Sequence, residues 1–157
     1  MTSFNFIDGP VPAHQHPNGG GWVADTAYVD DTAYVGPDAV VFDNARVFDN
    51  AVVAGNASVF DNAVVSSNAR VVDNAEVFGG AVVAGDAVVA DNSRVSSKAR
   101  VFDNAVVAGN AAVIDYARVS SNAQVLDNAL VAGNAVVAGN AVVAGNARML
   151  DLSLIHI

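Results

Sequence analysis

Apolar and polar positions follow each other along most of this chain with a period of six residues. Valine stands at position 23 and at every sixth position through Val143, 21 times in succession, and Met149 takes the next such position. Alanine stands four residues after each of these valines, and Ser93 is the one exception. Because nothing is inserted or deleted between Val23 and Met149, the pattern indicates a series of equivalent structural repeats.

A period of six predicts short strands, because the apolar face of a helix recurs every 3.6 residues. Residues two apart in an extended segment point to the same side, so each Ala and the next Val share one face. Pairs such as Asp43-Asn44 and Gly55-Asn56 supply corners, since Asn and Gly tolerate left-handed backbone angles. Each hexad is therefore a short strand plus a corner, and such units must coil and stack to bury their apolar side.

An internal match indicates how many hexads make one coil. Residues 45–68 are identical to residues 99–122 at 20 of 24 positions, and the two segments are 54 residues, or nine hexads, apart. Nine hexads complete three turns of a three-sided coil, whereas a two- or four-sided coil would end part-way through a turn. We therefore predict a triangular prism over residues 22–151, with about seven coils of 18 residues spaced about 4.8 Å apart.

The motif Val-x-x-x-Ala/Ser-x over residues 23–149 resembles the hexapeptide-repeat left-handed parallel β-helix family. This resemblance implies an all-β, left-handed triangular solenoid whose aliphatic and small residues fill the prism, and it implies that trimers are common. The segments 22–29 and 34–39 are similar to the start of solenoids in bacterial and phage hexapeptide-repeat proteins. We therefore expect a non-catalytic structural or binding module, such as a rigid shaft or adhesive module on a phage or cell surface.

The same resemblance sets out what an enzyme of this family would need. Its acyltransferases carry a catalytic His near a subunit junction and a loop over the acyl-carrier cofactor, and related carbonic anhydrases use three His ligands. Here the histidines are His14, His16 and His156, all outside the repeat, and no loop interrupts the hexads. We predict no catalytic, cofactor-binding or metal-binding residues; the alternative is an acyltransferase-like protein whose catalytic part lies outside this fragment.

The N-terminal leader, residues 1–21, holds the nearest approach to a metal site. His14 and His16 share one side of an extended segment, and Asp8 or Asp25 could assist them. Two histidines do not complete a site, however, and the prolines of the leader predict an irregular, exposed segment. The glycine run that follows lacks the helix of a phosphate site, so we expect a flexible connection to the first coil.

The two ends of the prism carry separate expectations. We expect Trp22 or Tyr28 to cap the open N-terminal end. Residues 152–157 depart from the hexad register and resemble translated sequencing-adapter read-through, so we expect a non-native tail and a native chain that continues beyond this fragment. An uncapped last coil would favour end-to-end stacking through its strand edges.

Aspartates recur at the corners, as at Asp43, Asp61 and Asp103, and carboxylates are calcium ligands. They rarely stack in unbroken columns at intervals of 18, because Gly79 and Ser97 follow Asp61 in the same column. We therefore expect these side chains to bond their own backbone at a solvated corner.

Outward positions form contiguous apolar columns, which monomers rarely leave exposed over several hundred Å². A further face mixes Arg46, Arg100 and Arg118 with Phe48 and Phe102. We predict a homo-oligomer, either a trimer or an end-to-end stack. The interface candidates are Phe42, Phe60, Phe78, Val52, Val72, Val88, Val106, Leu126 and Val142.

Composition narrows the classes of partner. The 157 residues include 7 Lys+Arg against 16 Asp+Glu, a net charge of −9, which argues against binding to nucleic acid or an anionic membrane. Although 53% of residues are apolar, no run approaches the roughly 20 that a membrane-spanning helix needs. The chain has no Cys and its start shows no signal peptide, so we expect a cytoplasmic or virion-associated protein.

Overall fold

Three parallel sheets form the sides of a three-sided solenoid of about seven coils. This is a computed structural model that describes residues 2–151 and 153–156. Those residues contain strands and turns but no helix, and therefore none long and apolar enough to cross a membrane. The predicted all-β class and the 18-residue coil are confirmed, since parallel partners lie 18 residues apart, as Val64, Val82 and Arg100 do.

All strands but the first two are two or three residues long. In chain order they are β1 Ser3–Phe6, β2 Gly9–Gln15, β3 Trp22–Ala24, β4 Tyr28–Val29, β5 Tyr34–Val35, β6 Val40–Val41, β7 Arg46–Val47, β8 Val52–Val53, β9 Ser58–Val59, β10 Val64–Val65, β11 Arg70–Val71, β12 Glu76–Val77, β13 Val82–Val83, β14 Val88–Val89, β15 Arg94–Val95, β16 Arg100–Val101, β17 Val106–Val107, β18 Ala112–Val113, β19 Arg118–Val119, β20 Gln124–Val125, β21 Leu130–Val131, β22 Val136–Ala138, β23 Val142–Val143, β24 Arg148–Met149 and β25 Leu154–His156.

Each side of the prism takes every third strand, and we name the sides by their outward residues. The aromatic face contains β3, β6, β9, β12, β15, β18, β21 and β24; the arginine face contains β4, β7, β10, β13, β16, β19, β22 and β25; the valine face contains β5, β8, β11, β14, β17, β20 and β23. The chain passes from the aromatic to the arginine to the valine face in every coil.

The interior is built from the repeated valines and alanines. The valines from Val35 to Val137 at six-residue intervals are fully buried, as are nearly all of the alanines between them. Ser93 replaces one alanine and satisfies its buried hydroxyl by donating to the carbonyl oxygens of Ala90 (2.6 Å) and Val107 (3.2 Å). The predicted inward positions are therefore confirmed.

Left-handed backbone angles occur at the first residue of the corner pairs, with φ of 56° at Asp43 and 64° at Gly55, except near the start of the solenoid, as at Asp31 and Pro37. Asn44 and Asn56, the second residues, do not have them, so our placement of left-handed angles at Asn was wrong. The turn places the left-handed residue directly after the outward residue of the strand, and Asp, Ser or Gly occupies that position. Three corner columns result. The first holds Asp43, Asp61, Gly79, Ser97, Asp115, Gly133 and Asp151; the second holds Asp31, Asp49, Ser67, Gly85, Asp103, Ser121 and Gly139; the third holds Pro37, Gly55, Asp73, Asp91, Gly109, Asp127 and Gly145.

The leader forms a hairpin over most of its length, which corrects the prediction of an irregular segment. Strand β1 pairs antiparallel with β2, and β2 pairs antiparallel with β3 on the aromatic face. The carbonyl of Pro12 accepts the N–H of Asp25 (2.9 Å), the residue that directly follows β3. In an antiparallel strand the nitrogen and the carbonyl of one residue point to the same side, so the Pro12 nitrogen points away from β1. Pro10 lies two residues earlier and has the same orientation, so neither proline removes a bond between β1 and β2.

Residues 16–21 close the end of the valine face above β5. The N–H of Gly21 donates to the carbonyl of Val35 (3.0 Å), and a Cβ atom at Gly21 would lie 2.2 Å from the carbonyl oxygen of Gly36. The glycine run therefore permits a close backbone approach and is not only a flexible connection. Trp22 packs on Phe4 outside the prism, and Tyr28 is 53% exposed, so the expectation that one of them caps the interior was wrong.

The C-terminal residues continue the hexad register, which corrects our interpretation of a break after Asp151. Ser153 takes the small position and Ile155 the aliphatic position, and β25 pairs with β22 at the same 18-residue spacing. Ile155 packs against the core, although it is only partly buried. Leu152 and Ile157 lie outside the described residues.

Candidate functional site

The outer surface carries the candidate functional groups, because the interior is packed with aliphatic side chains from Val23 to Met149. Four features stand out there: the two leader histidines, the corner carboxylates, the aromatic column and the two remaining faces. The side chains on the outside come from strand residues that alternate with the buried valines.

The structure separates His14 from His16. The His14 ring, 53% exposed, lies 2.8 Å from the Asp25 carboxylate. His16 is buried, and its Nε2 atom bonds the carbonyl oxygen of Ala33 (2.9 Å), so it belongs to the closure of the prism end and corrects our interpretation of an exposed leader. Among the described residues, no three His, Asp or Glu side chains form a group that could hold a metal ion.

Corner carboxylates bind the next coil. Asp61 Oδ2 accepts the N–H of Gly79 (3.0 Å), and Asp103 Oδ2 accepts the N–H of Ser121 (3.0 Å). The acceptors therefore serve a backbone 18 residues away, and our expectation that they bond their own backbone was wrong. Each such bond links two coils at a corner, in addition to the backbone bonds there, such as that from Asn62 N–H to the Gly79 carbonyl (2.9 Å). The corner aspartates therefore stabilise the stacking of successive coils.

Beside them run ladders of asparagine side chains. The amide of Asn56 donates to Asn74, which donates to Asn92, at 3.2 Å in both cases. Asn110 and Asn128 continue the same column (3.2 Å), and a second column joins Asn104 to Asn122 (3.3 Å). These contacts repeat with the coil and add neutral polar groups beside the corner aspartates.

The aromatic column is a stack closed by the chain itself. Phe42, Phe60 and Phe78 have ring centroids 4.8 and 4.9 Å apart and are parallel to within 5°. Phe6 of the hairpin stacks on Phe42 (4.9 Å) at one end, and the Arg94 guanidinium lies 5.5 Å from the Phe78 ring at the other. Of these interface candidates, Phe42 is buried by the hairpin, while Phe60 and Phe78 are half-buried.

Sequence reasoning missed the hairpin and its contact with this stack. Phe4 and Phe6 are two residues apart and face the same side, and Asp8-Gly9 follows them after Ile7. Such a pair before an Asp-Gly step is a hairpin signal. The prolines of the leader had instead indicated an irregular segment.

The arginine face is the charged side of the prism. Arg46 lies over the ring of Phe48 (4.8 Å), while Arg100 and Arg118 lie on either side of Phe102 at 5.8 and 5.7 Å. These contacts place each guanidinium group within cation–π distance of an aromatic ring. An apolar partner would have to desolvate several cations on this side.

At the start of this face, Tyr28 and Asp30 form an exposed pair. The N–H of Asp49 donates to Asp30 Oδ2 (2.7 Å), and the Tyr28 hydroxyl donates to Asp30 Oδ1 (2.8 Å). These bonds, that of Asp49 foremost, lower the pKa of Asp30 from its ordinary value, and the same carboxylate raises the pKa of Tyr28. Both shifts keep the carboxylate charged and the phenol neutral over a wide pH range.

The valine face differs from the other two. Its first outward column contains Tyr34, Val52, Arg70, Val88, Val106, Gln124 and Val142; its second contains Gly36, Ala54, Val72, Ala90, Ala108, Leu126 and Ala144. Arg70 is the one charged residue in these two columns, all of whose members the structure describes. Val142 is 54% exposed, and the valines at the middle of the face are half-buried.

A groove of about 880 Å³ runs below the hairpin along the first corner. Asp8 and Asp25 line its upper part, Asp43 and Asp61 line its floor, and it reaches Gly79. The floor carboxylates already accept backbone N–H groups of the next coil. The groove therefore results from the hairpin, which projects over the first corner, and from the corner itself, whose carboxylates are already hydrogen-bonded to the next coil.

Comparisons with protein-family models, with curated proteins and with solved structures find no match to this chain.

Proposed function

We propose that this chain is a non-catalytic structural or binding module, a rigid solenoid that self-associates through its outer surface. The observation that carries the proposal is the uninterrupted run of short strands from Trp22 to Met149, whose interior is filled by Val and Ala at nearly every hexad. No loop leaves the prism over this range to form a pocket wall.

Several layers of bonding support rigidity. Backbone bonds join each coil to the next on all three faces, as from Val64 N–H to the Ala81 carbonyl (2.9 Å). Corner carboxylates and Asn ladders join the same coils between the faces. A prism tied along every side resists bending, which suits a spacer or shaft. The resemblance given above suggests a left-handed coil and a phage- or cell-surface setting, and both are part of this proposal.

Small-angle X-ray scattering tests the mechanical part of the proposal. Seven coils spaced about 4.8 Å apart give a prism about 34 Å long, to which the hairpin adds at one end. We expect scattering from a rigid particle whose smallest unit has these dimensions, with no flexible segment larger than the termini. A curve typical of an expanded chain would contradict the proposal.

Calorimetric titration with acetyl-coenzyme A tests the non-catalytic part. We expect no binding heat, because the prism lacks the loop and the histidine that the resemblance would require. Saturable binding at micromolar concentrations would overturn this part and would favour the acyltransferase-like alternative.

A further inference from the structure

We infer that the valine face is a self-complementary interface, on which a second copy of this chain packs face to face, side by side and in the same direction. This inference rests on the proposed self-association and specifies its surface, partner and symmetry. The three faces have the same backbone and interior, so the choice between them depends on their outward residues.

The valine face is flat enough to match another face along its whole length. Rings in the neighbouring aromatic column stay parallel to within 5° from coil to coil, so successive coils hardly rotate. A face about 34 Å high and about 15 Å wide presents about 500 Å², and two copies would cover about 1,000 Å². That area is at the lower limit for a specific interface, so we expect a dimer that dissociates on dilution.

A two-fold axis along the prism brings the first outward column of one copy against the second column of the other. Residues two apart in the sequence then face each other. At five of the seven levels a Val or Tyr faces an Ala or Gly, as Val52 faces Ala54 and Val88 faces Ala90. Large side chains thus meet small ones, which allows close packing.

The remaining two levels place large residues on both sides, and there the first residue is polar. Arg70 faces Val72, and Asp73 of the second copy lies directly beyond it at the corner. Gln124 faces Leu126, with Asp127 of the second copy beyond it. A guanidinium and an amide are donors for these carboxylates, so each level gains a polar contact at the rim of the interface.

Charges at the corners also agree with this arrangement. The same axis brings the second corner against the third, so that corner residues six apart face each other. Asp49 faces Gly55, Ser67 faces Asp73 and Gly85 faces Asp91, and at none of the seven levels does one aspartate of the two columns face another. An antiparallel dimer would instead bring Asp91 against Asp91 at its centre, which like charges disfavour.

The other two faces do not meet these conditions. On the arginine face the same axis brings Asp43 against Asp49 and adds three arginines from each copy. On the aromatic face the hairpin stands above the sheet, with Phe4 and Phe6 packed on Trp22 and Phe42, so that a flat partner is kept away.

Sedimentation velocity over a concentration series tests the choice of face. Val88→Glu places a carboxylate at the centre of the valine face, and Val82→Glu is its matched control on the arginine face in the same coil. Both positions are half-buried, and each has one Arg and one Val as strand neighbours. We expect Val88→Glu to weaken association at least tenfold and Val82→Glu to leave it unchanged, with both variants unfolding at similar temperatures.

Cross-linking tests the direction, and the absence of cysteine from the chain makes single labels unique. The two copies of residue 142 would lie about 12 Å apart in the parallel dimer and about 29 Å apart in an antiparallel one. We expect a bismaleimide linker of about 12 Å to cross-link Val142→Cys efficiently, and Val136→Cys on the arginine face poorly.

The outcomes separate this inference from the proposed function. An oligomer that Val88→Glu does not weaken would overturn the valine face and leave self-association standing. Dissociation by Val88→Glu without cross-linking of Val142→Cys would overturn the parallel direction. A wild-type chain that stays monomeric at millimolar concentration would overturn both the inference and the proposed self-association.

Discussion

The inner and outer side chains of the valine face come from alternate residues of the same strands, yet they follow different rules. Seven inner positions, from Val35 to Val143, are all valine, whereas the outer position beside each of them holds Tyr, Val, Arg or Gln. The inner valines are almost completely buried, and the outer residues are half-buried or exposed. The space inside a closed prism is the same in every coil, so each inner position accepts a side chain of one size. The size of an outer side chain is restricted only by the groups that pack against it.

The repeat and the outer surface therefore carry separate information. The repeat specifies coil, register and interior equally on all three sides. The outward residues that differ between the sides, such as Arg70 and Phe42, make the three surfaces chemically different.

Replacing an inner valine should damage the fold far more than replacing its neighbour. Val83→Asp puts an unpaired charge into the prism and should lower the free energy of unfolding by more than about 3 kcal/mol. Val82→Asp, on the outside of the same strand, should change it by less than about 1 kcal/mol. Urea denaturation followed by circular dichroism measures both. Equal losses would mean that the inward assignment is wrong.

The hairpin offers a second neighbouring pair. Phe6 is buried against Phe42, and Ile7, the next residue, is 69% exposed. Phe6→Ala should cost about 2–4 kcal/mol, because it removes the ring that closes the aromatic stack. Ile7→Ala should cost less than about 0.5 kcal/mol. Hydrogen exchange of the amides in β1 and β2 should be accelerated in the first variant alone; slow exchange there would show that the stack does not hold the hairpin.

Corner glycines test how closely the coils approach. A Cβ atom at Gly109 would lie 2.8 Å from the backbone nitrogen of Asp127, whereas at Gly145 it would meet nothing within 4 Å. Both glycines have positive φ, so both Ala variants incur about 1–2 kcal/mol of backbone strain. Gly109→Ala should cost about 1 kcal/mol more, because the coils must also shift. Similar melting temperatures for the two variants would contradict the tight corner.

The smallest effect concerns pH. The pKa of Asp30 is lower in the folded chain than in the unfolded one, so its contribution to stability is complete above the unfolded pKa and disappears as the pH falls through the folded pKa. Asp30→Asn should therefore lower the melting temperature slightly at pH 7 and not at all near pH 2. A difference in melting temperature between the variant and the wild-type chain that persists near pH 2 would show that the Asp30 side chain acts through its shape and not through its charge.

The fold was predictable because the six-residue repeat has no insertion or deletion between Val23 and Met149. The spacing of Val and Ala indicated strands, a three-sided coil and the buried positions, all of which the structure confirms. The hairpin was not predictable from the prolines alone, since their effect depends on which side of the strand their nitrogens face. The partner of each corner carboxylate was also hidden, because it lies 18 residues away. At the C-terminus, Ile155 keeps a register that the unusual composition concealed.

The candidate surface was predictable only in part. Sorting residues at intervals of 18 identified Val52, Val88 and Val142 as one apolar column, and the structure places them on one flat side. The sorting could not show that Phe42 is covered, because the covering residue, Phe6, comes from the leader. The assignment of that flat side to association stays a prediction.

Methyl NMR spectra of the wild-type chain at low and high concentration can show which outer valines join two copies. We expect the methyl signals of Val52, Val88, Val106 and Val142 to move as the concentration rises. The signals of the inner valines and of Val64 and Val82 on the arginine face should stay in place. Shifts centred on the arginine face, or spectra independent of concentration up to the millimolar range, would contradict the claim that the outer valines of one face join two copies.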